Sequence, residues 1–236
     1  MSDTKEQILM TALHLFARDG YEAVSVSTIA GELGMTKGAL YRHYKNKRDI
    51  FDSIVERMFQ IDAERAEACQ VPADKYEVQP EAYENTSLES IRKFTLGQFR
   101  FWTEDDFASN FRKMLTLEQY RSPEMAELYS NCLIAGPAAY MEDLFRELML
   151  KGVLKEGDPG QLAVEFYAPL FLLIHISDGI GLDKTELNEI KKNETESHGT
   201  KINTAKGNDD LAEMLDRHIR QFMQKYMTEQ SEQPAE

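Results

Sequence analysis

"MTKGALYRHYKNKRD", residues 35–49, differs in charge from the chain that surrounds it. The protein has 236 residues, with 27 Lys+Arg against 41 Asp+Glu and a formal net charge of −14. Yet between Thr36 and Arg48 stand five basic side chains, Lys37, Arg42, Lys45, Lys47 and Arg48, and no acidic one. Tyr41, His43 and Tyr44 are interleaved with them. Residues 1–57 carry 8 basic and 8 acidic side chains, so the whole −14 falls on residues 58–236. A neutral N-terminal unit with a basic patch therefore precedes an acidic body. Large acidic surfaces repel nucleic acid, whereas a local basic patch attracts it. The competing reading of any charge run is a solvated face.

Working outward from this stretch, the chain reads as all-α. Over about residues 4–18, Ile8, Ala12 and Leu15 share one face with Leu9, Leu13 and Phe16, the spacing of an amphipathic helix. Gly20 follows, where a left-handed residue commonly ends a helix. Ser25 is a suitable N-cap for a second helix with Val26, Ile29, Ala30 and Leu33 inward, and Gly34 breaks it. Thr36 caps a short third helix that runs to about His43. A long fourth helix opens at Asn46 or Lys47, with Ile50, Ile54, Val55 and Met58 inward, and reaches about Cys69. Residues 70–84, with Pro72 and Pro80, read as an irregular linker. Helical periodicity resumes over about 86–103, 105–120, 123–151 and 160–182. Residues 183–209 are polar and read as a flexible insertion. A last helix spans about 209–227, and 228–236 reads as a disordered tail. The organisation implied is a DNA-binding domain over 1–48 and a helical ligand-binding and dimerisation domain over 49–227.

Helix, glycine-containing turn and short helix together form a helix-turn-helix arrangement. In that geometry the start of the third helix faces the major groove. Thr36 and the free N–H groups beside it suit a phosphate, because a helix N-terminus is partly positive. Lys37 is expected in the groove. Gly38 and Ala39 are small enough for the backbone to approach bases, and Tyr41, His43 and Lys47 are expected at flanking phosphates. A carboxylate in this segment would face the DNA backbone, which explains why none is there.

Residues 8–51 resemble the DNA-binding domain of the TetR family of transcriptional regulators. The matching residues include Phe16, Gly20, Tyr21, Ser25, Val26, Ile29, Ala30, Gly34, Thr36, Lys37, Gly38, Leu40, Tyr41, His43, Tyr44, Lys47 and Ile50, and "LYRHYKNKRDI" is the most specific run. Met35 and Tyr44 depart from the family's usual smaller aliphatic and Phe. The resemblance implies a DNA contact at Ser27 beside the cap Ser25. It also implies a helical regulatory domain whose last two long helices form a dimeric four-helix bundle, and a subset of aromatics lining a cavity.

Other chemistries find little support. The five histidines include no HExxH, and none has Glu three residues before it, so neither a zinc protease nor a di-iron bundle is indicated. No metal, cofactor or catalytic residue is expected. His175 reads as a structural histidine, with Asp178 as its expected partner. Cys69 and Cys132 are far apart and read as packing residues of a protein in a reducing cytoplasm. The stretch 162–176 is interrupted by Glu165 and Pro169 and is shorter than the roughly 20 residues that span a bilayer, so no membrane contact is expected.

The expected function is that of a homodimeric repressor of double-stranded DNA with a near-palindromic operator, released by a small, mostly apolar effector. Gln98, Phe99, Trp102, Phe111, Met114, Gln119, Tyr129 and Tyr140 are the expected effector-binding residues. Leu162, Phe166, Leu170, Phe171, Leu173, Ile174, Leu215, Ile219 and Phe222 are the expected dimer interface, because the helix over 160–182 has more apolar surface than one protomer buries. Two other readings remain open: an activator or effector-free regulator, and a helical enzyme with an incidental motif.

Overall fold

A computed structural model describes residues 3–74, 76, 78–180 and 207–229. The described residues are helical apart from connecting turns and one isolated bridge between Leu154 and Met227. The helices are α1 (Asp3–Asp19), α2 (Val26–Glu32), α3 (Lys37–Leu40), α4 (Lys47–Ala68), α5 (Pro80–Asn85), α6 (Leu88–Glu104), α7 (Asp106–Glu118), α8 (Pro123–Leu133), α9 (Ala135–Leu150), α10 (Pro159–Ile180) and α11 (Asn208–Tyr226). They form two compact units. The first holds α1–α4 with α7 and α8, and the second holds α5, most of α6, most of α9, α10 and α11. The expected boundary at residue 48 is therefore not a packing boundary: α4 packs on α1, and α7 packs on both.

The core of the first unit is the apolar face of α1. Ile8, Leu9, Ala12, Leu13 and Phe16 are wholly buried, together with Ile29, Leu40, Ile50, Ile54, Phe111, Met114 and Leu115. Burying each large aliphatic or aromatic side chain contributes roughly 1.5–3 kcal/mol. Tyr44 belongs to this core as well. Its ring is buried, its hydroxyl donates to the Lys5 carbonyl at 3.3 Å, and burial pushes its phenol up to about 12. The hydroxyl that distinguishes it from Phe thus ties the third-helix segment to α1.

The stretch expected as one helix over 123–151 is two. Ile134 ends α8 with φ −128° and ψ −84°, and α9 begins at Ala135. Pro137 explains the break, since it has no N–H to donate to the Leu133 carbonyl four residues back and its ring crowds that carbonyl. Gly136 is required there, because a Cβ would lie 1.9 Å from the Asn131 carbonyl oxygen. The expected linker also contains α5, which starts at Pro80.

In the second unit, Phe145, Phe166 and Phe222 pack with ring centroids 5.0–5.4 Å apart, joining α9, α10 and α11. By length and composition alone α10 could cross a membrane over Pro159–Gly179, with mean hydropathy 1.3. One side of it instead builds this aromatic core. His175 interacts through Nδ1 with the Phe171 carbonyl at 2.8 Å, one turn back. In the first unit Cys132 is half-buried on α8, and burial pushes its thiol up to about 12. Beyond α11, Thr228 donates through its N–H to Val153 and through its hydroxyl to Gly152, so the expected tail is anchored at its first residue. The expected insertion lies outside the described residues over 183–206, as does the tail over 230–236.

Candidate nucleic-acid interface

Local chemistry sets the helix-turn-helix. Ser25 caps α2 by accepting the Thr28 N–H at 3.1 Å. Gly34, at φ +63°, ends it, with its N–H on Gly31 and the Met35 N–H on Ala30. This left-handed closure strains any side-chain-bearing residue. Thr36 then caps α3 by accepting the Ala39 N–H at 3.2 Å. The regular part of α3 is shorter than the sequence suggests, and Tyr41–His43 continue it as tight turns.

Ser25, Ser27, Thr36, Lys37, Gly38 and Tyr41 are exposed, and Ala39 and His43 are half-buried. Leu40 alone of α3 is buried and anchors it. A Cβ at Gly38 would meet only Thr36 Oγ1, at 3.9 Å, so the fold itself does not demand glycine there. Lys37, Arg42 and Lys45 form no ion pair among the described residues. Their charge is available to a partner outside the chain.

Lys47 is different. It was expected at a phosphate, but its ammonium donates to the Tyr21 carbonyl at 2.8 Å and lies 4.1 Å from the centre of the Tyr21 ring. A second carbonyl of the α1–α2 loop, that of Glu22, lies 3.5 Å away. Arg48 is also committed, to Asp52 at 2.6 Å and to Glu124 of α8. Two of the five cations are thus structural. Sequence reasoning left Arg42 and Lys45 outside the candidate set, although both lie in the run 36–48 that holds cations and no acid, which was a usable signal. It also missed Glu118, a buried carboxylate of α7 that accepts the Tyr21 N–H.

The expected effector-binding residues fall into two groups. Phe111 and Met114 are wholly buried in the first unit, with Tyr129 buried and Gln119 half-buried. Phe99 and Trp102 are buried in the second unit, with Gln98 half-buried, while the Tyr140 hydroxyl donates to Pro72 O at 3.0 Å. Most of the expected dimer residues are core. Leu162, Phe166, Leu170, Leu173, Ile174, Leu215, Ile219 and Phe222 are each 6% exposed or less, and Phe171 alone is half-buried. The apolar stripe that α10 leaves open is Val164, Ala168 and Leu172, at i, i+4 and i+8, with Val164 and Leu172 more than half exposed.

Comparison with known proteins places this geometry. Residues 8–54 match the family described as bacterial regulatory proteins, tetR family. The HTH-type transcriptional regulator AcrR of Shigella flexneri is 43% identical over 54 residues, covering 23% of this chain and 25% of AcrR. The chain spans only 19% to 32% of the length of such relatives. Across nearly the whole chain, the fold is similar to that of SmeT, the repressor of the Stenotrophomonas maltophilia multidrug efflux pump SmeDEF. The TM-score is 0.59 at 21% identity, covering 100% of this chain and 96% of SmeT. A complex of SmeT with triclosan matches similarly, at 20% identity and TM-score 0.59, covering 99% and 96% of the two chains.

Proposed function

We propose that this chain is a transcriptional regulator of the TetR type, a homodimeric repressor released from a near-palindromic operator by a small, mostly apolar molecule. The match of residues 8–54 to the tetR family of bacterial regulatory proteins supports a helix-turn-helix regulator. One observation carries the DNA-reading part: the α3 segment is exposed, free of carboxylates, and presents Lys37, Arg42 and Lys45 without internal partners. Gly38 supports it, since a glycine the fold does not need suits close approach by an outside surface. Lys37 reads base edges in this account, while Thr36, Tyr41, Arg42 and Lys45 take phosphates. Ser25, Ser27, Ala39 and His43 flank them.

Two copies meet through Val164, Ala168 and Leu172 of α10, which otherwise leave apolar surface in water. A two-fold dimer then reads a two-fold operator. That SmeT, a repressor of the same fold, forms a complex with triclosan supports an apolar effector here. The test is a mobility-shift titration with DNA from upstream of the gene and its neighbours. Tight, salt-sensitive binding that survives competitor DNA is expected, and its loss in Lys37→Ala. Binding that competitor DNA abolishes would refute the reading.

A further inference from the structure

The first unit contains a cavity of about 530 Å³ between α4 and α8, lined by none of the expected effector residues. Its size lies within the roughly 300–1,000 Å³ of small-molecule sites. Its floor is apolar: Phe51, Val55 and Leu128, with Phe59 left 52% exposed beside them. Its rim is acidic: Asp52, Glu56, Glu124 and Glu127. The one cation that lines it, Arg48, is already shared between Asp52 and Glu124. Glu56 and Glu127 are exposed and form no ion pair among the described residues. An apolar floor alone would take any greasy molecule. Four carboxylates around a single shared guanidinium select the sign of its charge, and the exposed ring of Phe59 adds attraction for a cation, while the Phe51 ring already holds the Arg48 guanidinium 5.5 Å from its centre.

We propose that this cavity binds an amphipathic organic cation, and that the bound cation displaces Arg48 from Glu124 and Asp52 and so weakens the hold on DNA. Arg48 is about half exposed, at 48%, so water can solvate it once released. Its consequence lies in the chain: Arg48 adjoins Lys47, whose ammonium holds the α1–α2 loop through Tyr21. Loosening the first turn of α4 from α8 therefore loosens the support of the helix-turn-helix. Occupancy of the cavity is independent of the repressor reading; only the effect on DNA rests on it.

Calorimetric titration of the full chain with tetraphenylphosphonium, and with its near-isosteric anion tetraphenylborate, tests occupancy. The phosphonium binds and the borate does not. The double variant Glu56→Gln, Glu127→Gln weakens phosphonium binding about tenfold, and Leu128→Arg, with an unchanged helical circular dichroism spectrum, abolishes it. No phosphonium binding, or equal binding by all three proteins, overturns the site. Operator titration with and without phosphonium then tests the coupling. Operator affinity falls in the wild type and not in the double variant; an unchanged affinity at saturating phosphonium overturns the coupling. If the ligand-free protein binds no operator, the repressor reading fails and the coupling with it, while calorimetry still decides the site.

Discussion

The backbone N–H of Tyr21 donates to Glu118 Oε1 at 2.9 Å, joining two residues 97 positions apart. Glu118 is 2% exposed and lies on α7, and Tyr21 lies in the loop between α1 and α2. Arg121 approaches the same oxygen at 3.3 Å. Gly20, at φ +85°, leaves the space, because a Cβ there would come within 3.0 Å of that oxygen. The Tyr21 ring packs edge-on against Phe16 and Phe51, each 5.1 Å away. One loop is thus held by α1, α4 and α7 together. Glu118→Ala would leave the Tyr21 N–H without its partner and is expected to cost about 1–3 kcal/mol, read as a lower urea midpoint. An unchanged midpoint would mean the contact does not stabilise the native state.

Lys37 and Lys47 separate the two jobs of the basic stretch. Lys37→Ala is expected to keep the urea midpoint and lose about 1–3 kcal/mol of operator affinity per half-site. Lys47→Ala is expected to lose about 1.5–3 kcal/mol of stability, the range for a hydrogen bond to a charged group. Its salt dependence of DNA binding should stay close to wild type. If Lys47→Ala instead lowers the salt slope with stability intact, its ammonium leaves Tyr21 to meet a phosphate.

On α10, Leu172→Glu and Val164→Glu are expected to give folded monomers, because those side chains face outward. Leu170→Glu places a charge in the protomer core and is expected to unfold the second unit. Sedimentation equilibrium at micromolar concentration, with circular dichroism alongside, distinguishes these outcomes. A wild-type monomer would remove the dimer from the proposal.

Asp216 sets an acid limit to stability. The Arg92 guanidinium, bonded to it at 2.7 Å, holds its carboxyl below the ordinary 3.8, with Arg220 assisting. A carboxylate with a depressed folded-state value stabilises at pH above its unfolded value, and that contribution disappears as pH falls through the folded one. Stability is therefore expected to decline below pH 3.8. The decline should be shallower in Asp216→Asn, as read from urea midpoints across the acid range.

Gly136→Ala is expected to destabilise by at least the roughly 1–3 kcal/mol of an overpacked site, since the new methyl group meets a backbone carbonyl that cannot rotate away. Thermal denaturation measures it, and a neutral result would show that the α8–α9 junction shifts freely.

The helix-turn-helix was legible in the sequence because its determinants are local. Ser25 and Thr36 cap within their own first turns, Gly34 closes α2 through its own φ, and the α1 face follows from spacing alone. The run of cations without carboxylates over 36–48 likewise isolates the exposed segment. What those cations touch was not legible. Lys37 and Lys47 are the same residue type ten positions apart, and only packing of the α1–α2 loop against α4 brings two carbonyls to Lys47. Glu118 looks in sequence like any acid on a helix surface, and it is buried because α7 lies on α1. On α10, apolar residues occupy almost every direction, so periodicity could not tell which stripe faces inward. The packing of α9 and α11 chose Leu162, Phe166, Leu170, Leu173 and Ile174 for the core and left Val164, Ala168 and Leu172 outside. Local backbone chemistry determined where the helices begin and end; contacts between residues distant in the chain decided which side chains remain free to act.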